Sequence, residues 1–236
     1  MLHRGILRRV TGASVVVLLL AAFVAFYVAD RAGAGAARCQ QHRVDARERA
    51  ATVTGDGERV LVVGDSWSVG LGQDDLRRSW AAELSGEVHV RGFSGSGFSA
   101  GASHCGRVSF HDRAATALGV RPALVVVQGG LNDFDQPTRA VDQGFRDLMA
   151  DLAGHRVVVV GPADAPLRSW AVPRVDDRLE VLSERYGVPY VRTSDLDLDY
   201  LDDRLHLTED GHREFGEAVA ERIADVEPAR PAVLRR

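Results

Sequence analysis

At 236 residues the chain has room for one sizeable domain and short appendages. Its formal charge of −4 argues against a nucleic-acid binder, which would show a basic face. All 29 cationic residues are arginine, and this excludes Schiff bases, Ser-Lys dyads and the P-loop lysine.

Val10 to Ala29 is a run of 20 residues without a charge, preceded by Arg4, Arg8 and Arg9. As a helix it spans roughly 30 Å, the thickness of a bilayer core. The arginines before it favour an N-in orientation, which Arg31 and Arg38 soften. A cleaved signal sequence is the alternative, since Ala32-Gly33-Ala34 and Ala34-Gly35-Ala36 resemble small-residue cleavage sites. The run exceeds an ordinary signal core of about 7–15 residues, which favours an uncleaved anchor. On either reading the remainder leaves the cytoplasm, membrane-anchored or secreted. The expected segments are 1–30 as anchor or signal, 31–57 as stalk, 58–226 as a catalytic domain, and 227–236 as a disordered tail carrying Pro228 and Pro231. Cys39 and Cys105 can pair in an oxidising compartment, with two free thiols as the alternative.

Past the stalk, short β-branched runs alternate with helical stripes. The expected strands contain Val60–Val63, Val88–Val90, Leu124–Val127, Val157–Val160 and Val188–Val191. The third and fourth are continuously apolar, as strands covered on both faces should be. Helical spacing links Leu76, Trp80 and Leu84; then Val141, Phe145, Leu148, Met149 and Leu152; then Val175, Leu179 and Leu182; and last Phe215, Val219 and Ile223, with Thr208 as N-cap. Strands alternating with helices predict a parallel sheet in an α/β sandwich.

Ligands of such sheets bind beyond the carboxyl ends of the strands. The first strand ends in Gly64-Asp65-Ser66, which can present a hydroxyl at the rim. The third ends in Gly130-Leu131-Asn132-Asp133, where the Asn132 amide can face a developing oxyanion. Asp203-Arg204-Leu205-His206 precedes the last helix, and its spacing puts carboxylate and imidazole on one side of a turn. Taken singly, each has a plain reading as a turn, a cap or a surface histidine.

In chain order these blocks resemble those of the SGNH/GDSL hydrolases, over roughly residues 58 to 226. The resemblance implies a flavodoxin-like three-layer α/β/α sandwich with a five-stranded parallel sheet. It implies ester hydrolysis without cofactor or metal, with Ser66 as nucleophile, His206 as base and Asp203 behind it. The oxyanion hole would comprise the Ser66 and Gly95 N–H groups and Asn132, with Gly97 in reserve for Gly95. The substrate would be a lipid, glycan or small-molecule ester. Trp67 stands where the family more often has Leu, which bears on substrate preference.

The glycine loop also holds Gly97-Phe98-Ser99-Ala100-Gly101, a nucleophile-elbow pattern, and Gly95-Ser96-Gly97-Phe98-Ser99-Ala100, a dinucleotide-loop pattern. Neither has the strand and helix context its chemistry needs. His104, Cys105, His111 and Asp112 match no common zinc spacing and are read as a loop. Phe93, Phe98, Phe110, Phe134 and Trp170 are candidate linings of the substrate site. An acyltransferase using the same triad and a non-catalytic binding module are the competing functions. A chain beginning near Arg38 should be soluble and active, whereas full-length protein should fractionate with membranes. Soluble full-length protein trimmed near Ala34 or Ala36 would instead indicate a cleaved signal.

Overall fold

Alternation within the strands explains the layers. In β2 (Arg59–Gly64), Val60 and Val62 pack to one side of the sheet and Leu61 and Val63 to the other, all buried. β4 (Leu124–Gln128) and β5 (Val157–Val160) divide in the same way. Each buried aliphatic side chain contributes about 1.5–3 kcal/mol. A strand apolar on both faces is stable only with helices on both, and the chain supplies them.

The computed structural model describes Val24, Tyr27 and residues 31–226. The apolar run expected to meet a membrane lies, apart from Val24 and Tyr27, outside these residues, as does the tail 227–236. No helix among the described residues is long and apolar enough to cross a membrane. The chain divides into two units, Met1–Gln41 and His42–Arg236. Residues 31–41 are helical, and the sheet lies in the second unit.

The sheet has the order β1-β3-β2-β4-β5-β6. β3 is Glu87–Gly92 and β6 is Tyr190–Val191, and every pairing from β3 to β6 is parallel. This is the expected five-stranded parallel sheet with one addition. β1 (Val53–Thr54) pairs antiparallel with β3 at the edge. A two-residue strand leaves no alternation to read, so the sequence gives no sign of it.

The segment expected as a stalk, 31–57, is largely helical, and its later part belongs to the second unit. Helix α1 covers residues 31–51, and from His42 onward the chain is part of the domain. Arg49 is fully buried there, and its guanidinium donates to Ser68 O (3.2 Å), Thr52 O (2.8 Å) and Ser79 Oγ (3.1 Å). Burial lowers its pKa to about 10. Composition suggested a solvated segment because an arginine usually stays in water; this one finds acceptors instead. Neither cysteine is free: Cys39 and Cys105 are each disulfide-bonded.

On one face lie α6 (Glu209–Val226) and the turn holding Trp80; on the other lie α3 (Phe110–Ala117), α4 (Thr138–Asp151) and α5 (Val172–Tyr186). α6 begins as expected, with Thr208 Oγ1 accepting from Gly211 N–H at 3.0 Å. The helix expected through Leu76, Trp80 and Leu84 is instead two 3₁₀ turns, Leu76–Arg78 and Trp80–Glu83. Ser79 between them is extended at φ −71° and ψ 156°, where it meets Arg49. α3 was not expected, because two of its three buried residues are the alanines Ala114 and Ala117. His111 and Asp112 therefore lie on a helix and not in a loop; Asp112 closes a capping box with Ser109.

Candidate active site

Strand register sets where the loops start. Gly64 at the end of β2 is level with Gly92 of β3 and Gln128 of β4. The chain then turns directly into a single helical turn, α2 (Ser66–Val69), with Asp65 Oδ1 accepting from Trp67 N–H at 3.0 Å as its cap. A Cβ on Gly64 would lie 2.0 Å from Ser68 Oγ, so this tight entry requires glycine. Ser68 Oγ in turn donates to Gln128 Oε1 at 2.7 Å. As first residue of α2, Ser66 has no intrahelical acceptor for its N–H.

The second loop arrives from β3. Gly95 is half-buried at φ +81°, a left-handed conformation natural to glycine. Asp133 fixes this loop from below: its carboxylate accepts Phe98 N–H at 2.9 Å and Ser99 N–H at 2.8 Å. Gly97 packs against that carboxylate. Arg113 of α3 ties the ends of the two strands, donating to Gly64 O and Ser96 Oγ at 2.9 Å each and to Arg91 O.

Asn132 is 8% exposed and follows β4 within a 3₁₀ turn. Its Nδ2 donates to Ser96 O at 2.8 Å, and Asp65 Oδ2 is 3.4 Å away, beyond a good hydrogen bond. Its Oδ1 accepts from Arg168 Nη1 at 2.7 Å.

The third element is the turn before α6. Arg204 takes a left-handed φ of 57°, which folds the turn back on itself. Asp203 Oδ1 then accepts both Leu205 N–H and His206 N–H at 2.9 Å, leaving Oδ2 at 2.5 Å from His206 Nδ1. His206 Nε2 points the other way and lies 3.0 Å from Ser66 Oγ. Partial burial would raise the Asp203 pKa, but the hydrogen bonds from His206 and Leu205 outweigh it and hold the carboxyl below its usual range. Nδ1 therefore carries the proton given to Asp203, and Nε2 is the nitrogen left to accept one.

The structure thus brings Ser66, His206 and Asp203 into one hydrogen-bonded chain and sets Asn132 and Gly95 in the two adjoining loops. Ser99 differs in every respect. It is 1% exposed, and its hydroxyl donates to Gln136 Oε1 at 3.1 Å and accepts Gly101 N–H, with no hydrogen bond to a histidine. Among the suggested aromatic linings, Phe93, Phe98 and Phe110 are buried in or under the core, and Phe134 and Trp170 remain at the surface. Trp67 is 1% exposed and does not line the site. It packs edge-on against Phe215, with ring centres 5.1 Å apart, and its indole N–H donates to Leu205 O at 3.0 Å. The tryptophan thereby joins the nucleophile turn to the histidine turn.

The GDSL-like lipase/acylhydrolase family model matches residues 62–214, which include all three motif blocks. The chain belongs to this family. It is accordingly an SGNH-type carboxylic ester hydrolase, and its five parallel strands, to which β1 is added at the edge, match the fold of that family. No curated protein matches the sequence. In fold this GDSL-like enzyme resembles an aryl esterase from M. smegmatis, with a TM-score of 0.58 and 19% identity over 72% of this chain and 100% of that one. It also resembles Est24, a carbohydrate acetylesterase from Sinorhizobium meliloti, with a TM-score of 0.59 and 18% identity over 72% and 100% of the two chains. The psychrotrophic esterase EstA from Pseudoalteromonas sp. gives a TM-score of 0.59 and 16% identity over 72% and 98%. At these identities the likeness is one of fold.

Four residues of the site escaped the motif reading: Asp65 and Asp133 as buried acids, and Arg113 and Arg168 as their cationic neighbours. The two acids stood inside the quoted blocks without a role. Arg168 follows β5, a strand end that the same rule about carboxyl ends would have flagged. Arg113 lies on the unexpected α3 and left no signal.

Burial pushes the Asp65 carboxyl from 3.8 up to about 6, against the Trp67 N–H it accepts and the nearby His206, Arg168 and Arg113. Burial likewise pushes Asp133 up to about 7, against the N–H groups of Ser99 and Phe98. For Asp65, the folded chain keeps a proton that the unfolded chain has released, so its contribution to stability falls as pH rises from about 4 to about 6. Asp65→Asn keeps an oxygen for Trp67 N–H and cannot ionise. Urea unfolding across this range should show wild type losing about 3 kcal/mol relative to Asp65→Asn, with no further divergence above about pH 7. A difference constant with pH would contradict the raised pKa.

Proposed function

We propose that this hydrolase works outside the cytoplasm by double displacement through an acyl-enzyme on Ser66. One observation carries the reading: His206 bridges Ser66 Oγ at 3.0 Å and Asp203 Oδ2 at 2.5 Å through its two ring nitrogens. Nε2 takes the hydroxyl proton as Oγ attacks the ester carbonyl carbon. The resulting oxyanion receives hydrogen bonds from the Ser66 and Gly95 N–H groups and from the Asn132 Nδ2 hydrogen that faces Asp65 only at 3.4 Å. On collapse, His206 returns the proton to the departing alcohol. Water then enters, His206 takes its proton, and attack on the acyl carbon releases the acid and restores Ser66. Asp203 holds the imidazole in one tautomer and stabilises its charged form.

The chain's substrate is an ester of a small molecule, lipid or glycan. Because the similar folds include an aryl esterase and a carbohydrate acetylesterase, p-nitrophenyl and sugar acetates are the first compounds to try. The bonded cysteines and the uncharged Val10–Ala29 run support an oxidising, extracytoplasmic setting with an N-terminal membrane anchor.

On p-nitrophenyl acetate, Ser66→Ala and His206→Ala should each lower kcat by roughly 10⁴-fold or more, and Asp203→Asn by roughly 10³–10⁴-fold. Circular dichroism of the variants should match wild type. Full activity in Ser66→Ala or His206→Ala would sink the mechanism.

A further inference from the structure

Arg168 lies in the loop after β5, outside the motif blocks, and reaches across to the turn after β4. Its Nη1 donates both to Asn132 Oδ1 at 2.7 Å and to Leu131 O at 2.8 Å. The guanidinium sits 4.4 Å from the centre of the Phe134 ring, which meets Trp170 edge-on at 6.1 Å. Two acceptors and an aromatic face hold it in one place.

An arginine can only donate, and a backbone carbonyl can only accept. With Arg168 on Oδ1 and Ser96 O on Nδ2, the Asn132 amide has one allowed orientation, its NH₂ turned toward Ser96 and Asp65. A cation on Oδ1 also draws electron density from the amide nitrogen, which strengthens the remaining N–H as a donor. Removing the guanidinium would leave a buried Oδ1 without this donor and free the amide to tilt about its bond to Ser96.

We propose that Arg168 is a positioning residue that sets and polarises the Asn132 amide for the oxyanion. The proposal rests on the reading of Asn132 as an oxyanion donor. It acts in the transition state and not in substrate binding, so its loss falls on kcat.

The test is steady-state kinetics on p-nitrophenyl acetate for Arg168→Ala, Arg168→Lys, Asn132→Ala and the Arg168→Ala/Asn132→Ala double variant, with thermal unfolding confirming each fold. Arg168→Ala should lower kcat roughly ten- to a hundredfold, the rate equivalent of one charge-assisted hydrogen bond, with KM little changed. Arg168→Lys should recover part of the loss, since an ammonium still donates to Oδ1. Asn132→Ala should lose roughly 10²–10³-fold, and the double variant should be no slower than Asn132→Ala alone. A raised KM with unchanged kcat would make Arg168 a substrate contact and overturn the proposal. So would an undiminished effect of Arg168→Ala in the Asn132→Ala background, or a fast Arg168→Ala beside a slow Asn132→Ala. A fast Asn132→Ala would bring down the oxyanion reading itself, and the proposal with it.

Discussion

The parallel register of β2 against its two neighbours governs the rest of the molecule. It puts Gly64, Gly92 and Gln128 at one level, so three loops leave the sheet side by side. Backbone hydrogen bonding between strands fixes that level, and a slip of one residue would turn every buried valine toward the wrong helix layer. The position of Ser66 is therefore set by the same strand pairing that builds the core. Gly64 and Ser68 meet too closely for any side chain, and Ser68 is itself bonded across to Gln128.

Above that edge, the loops are held by buried charge. Asp65 and Asp133 are both buried; Asp65 accepts the Trp67 N–H, and Asp133 those of Phe98 and Ser99. Arg113 and Arg168 face them from α3 and from the loop after β5, with carbonyl oxygens taking most of the guanidinium donors. A buried acid or base is costly unless paired and hydrogen-bonded, and here each supports the other. Its effect is to specify loop positions near the nucleophile. The histidine turn depends on a different device, the left-handed Arg204 and the Asp203 carboxylate closing over two N–H groups, and Trp67 joins it to the nucleophile turn.

The motif residues were legible because chemistry restricts them to few residue types at strand ends. Ser66, Asn132 and the Asp203–His206 pair fall where a parallel sheet must gather them, and α4, α5 and α6 show their stripes of large apolar residues. What stayed hidden depends on contacts distant in sequence. α3 buries alanines, which carry little periodic signal. Arg49 looks like part of a solvated linker until Ser68, Thr52 and Ser79 close around it. Trp67 reads as a substrate-facing replacement and is instead packed against Phe215, a pairing across most of the domain. Phe98 and Phe110 read as loop aromatics for the same reason, and their rings meet at 4.8 Å within the core.

The identity of the nucleophile is the claim on which the mechanism stands, and covalent trapping tests it most directly. Folded protein would be treated with a fluorophosphonate, digested, and mapped by mass spectrometry. A single phosphonyl group on Ser66, lost in Ser66→Ala and retained in Ser99→Ala, is the predicted result. Modification of Ser99 instead, or no modification of the folded wild-type protein, would contradict the account.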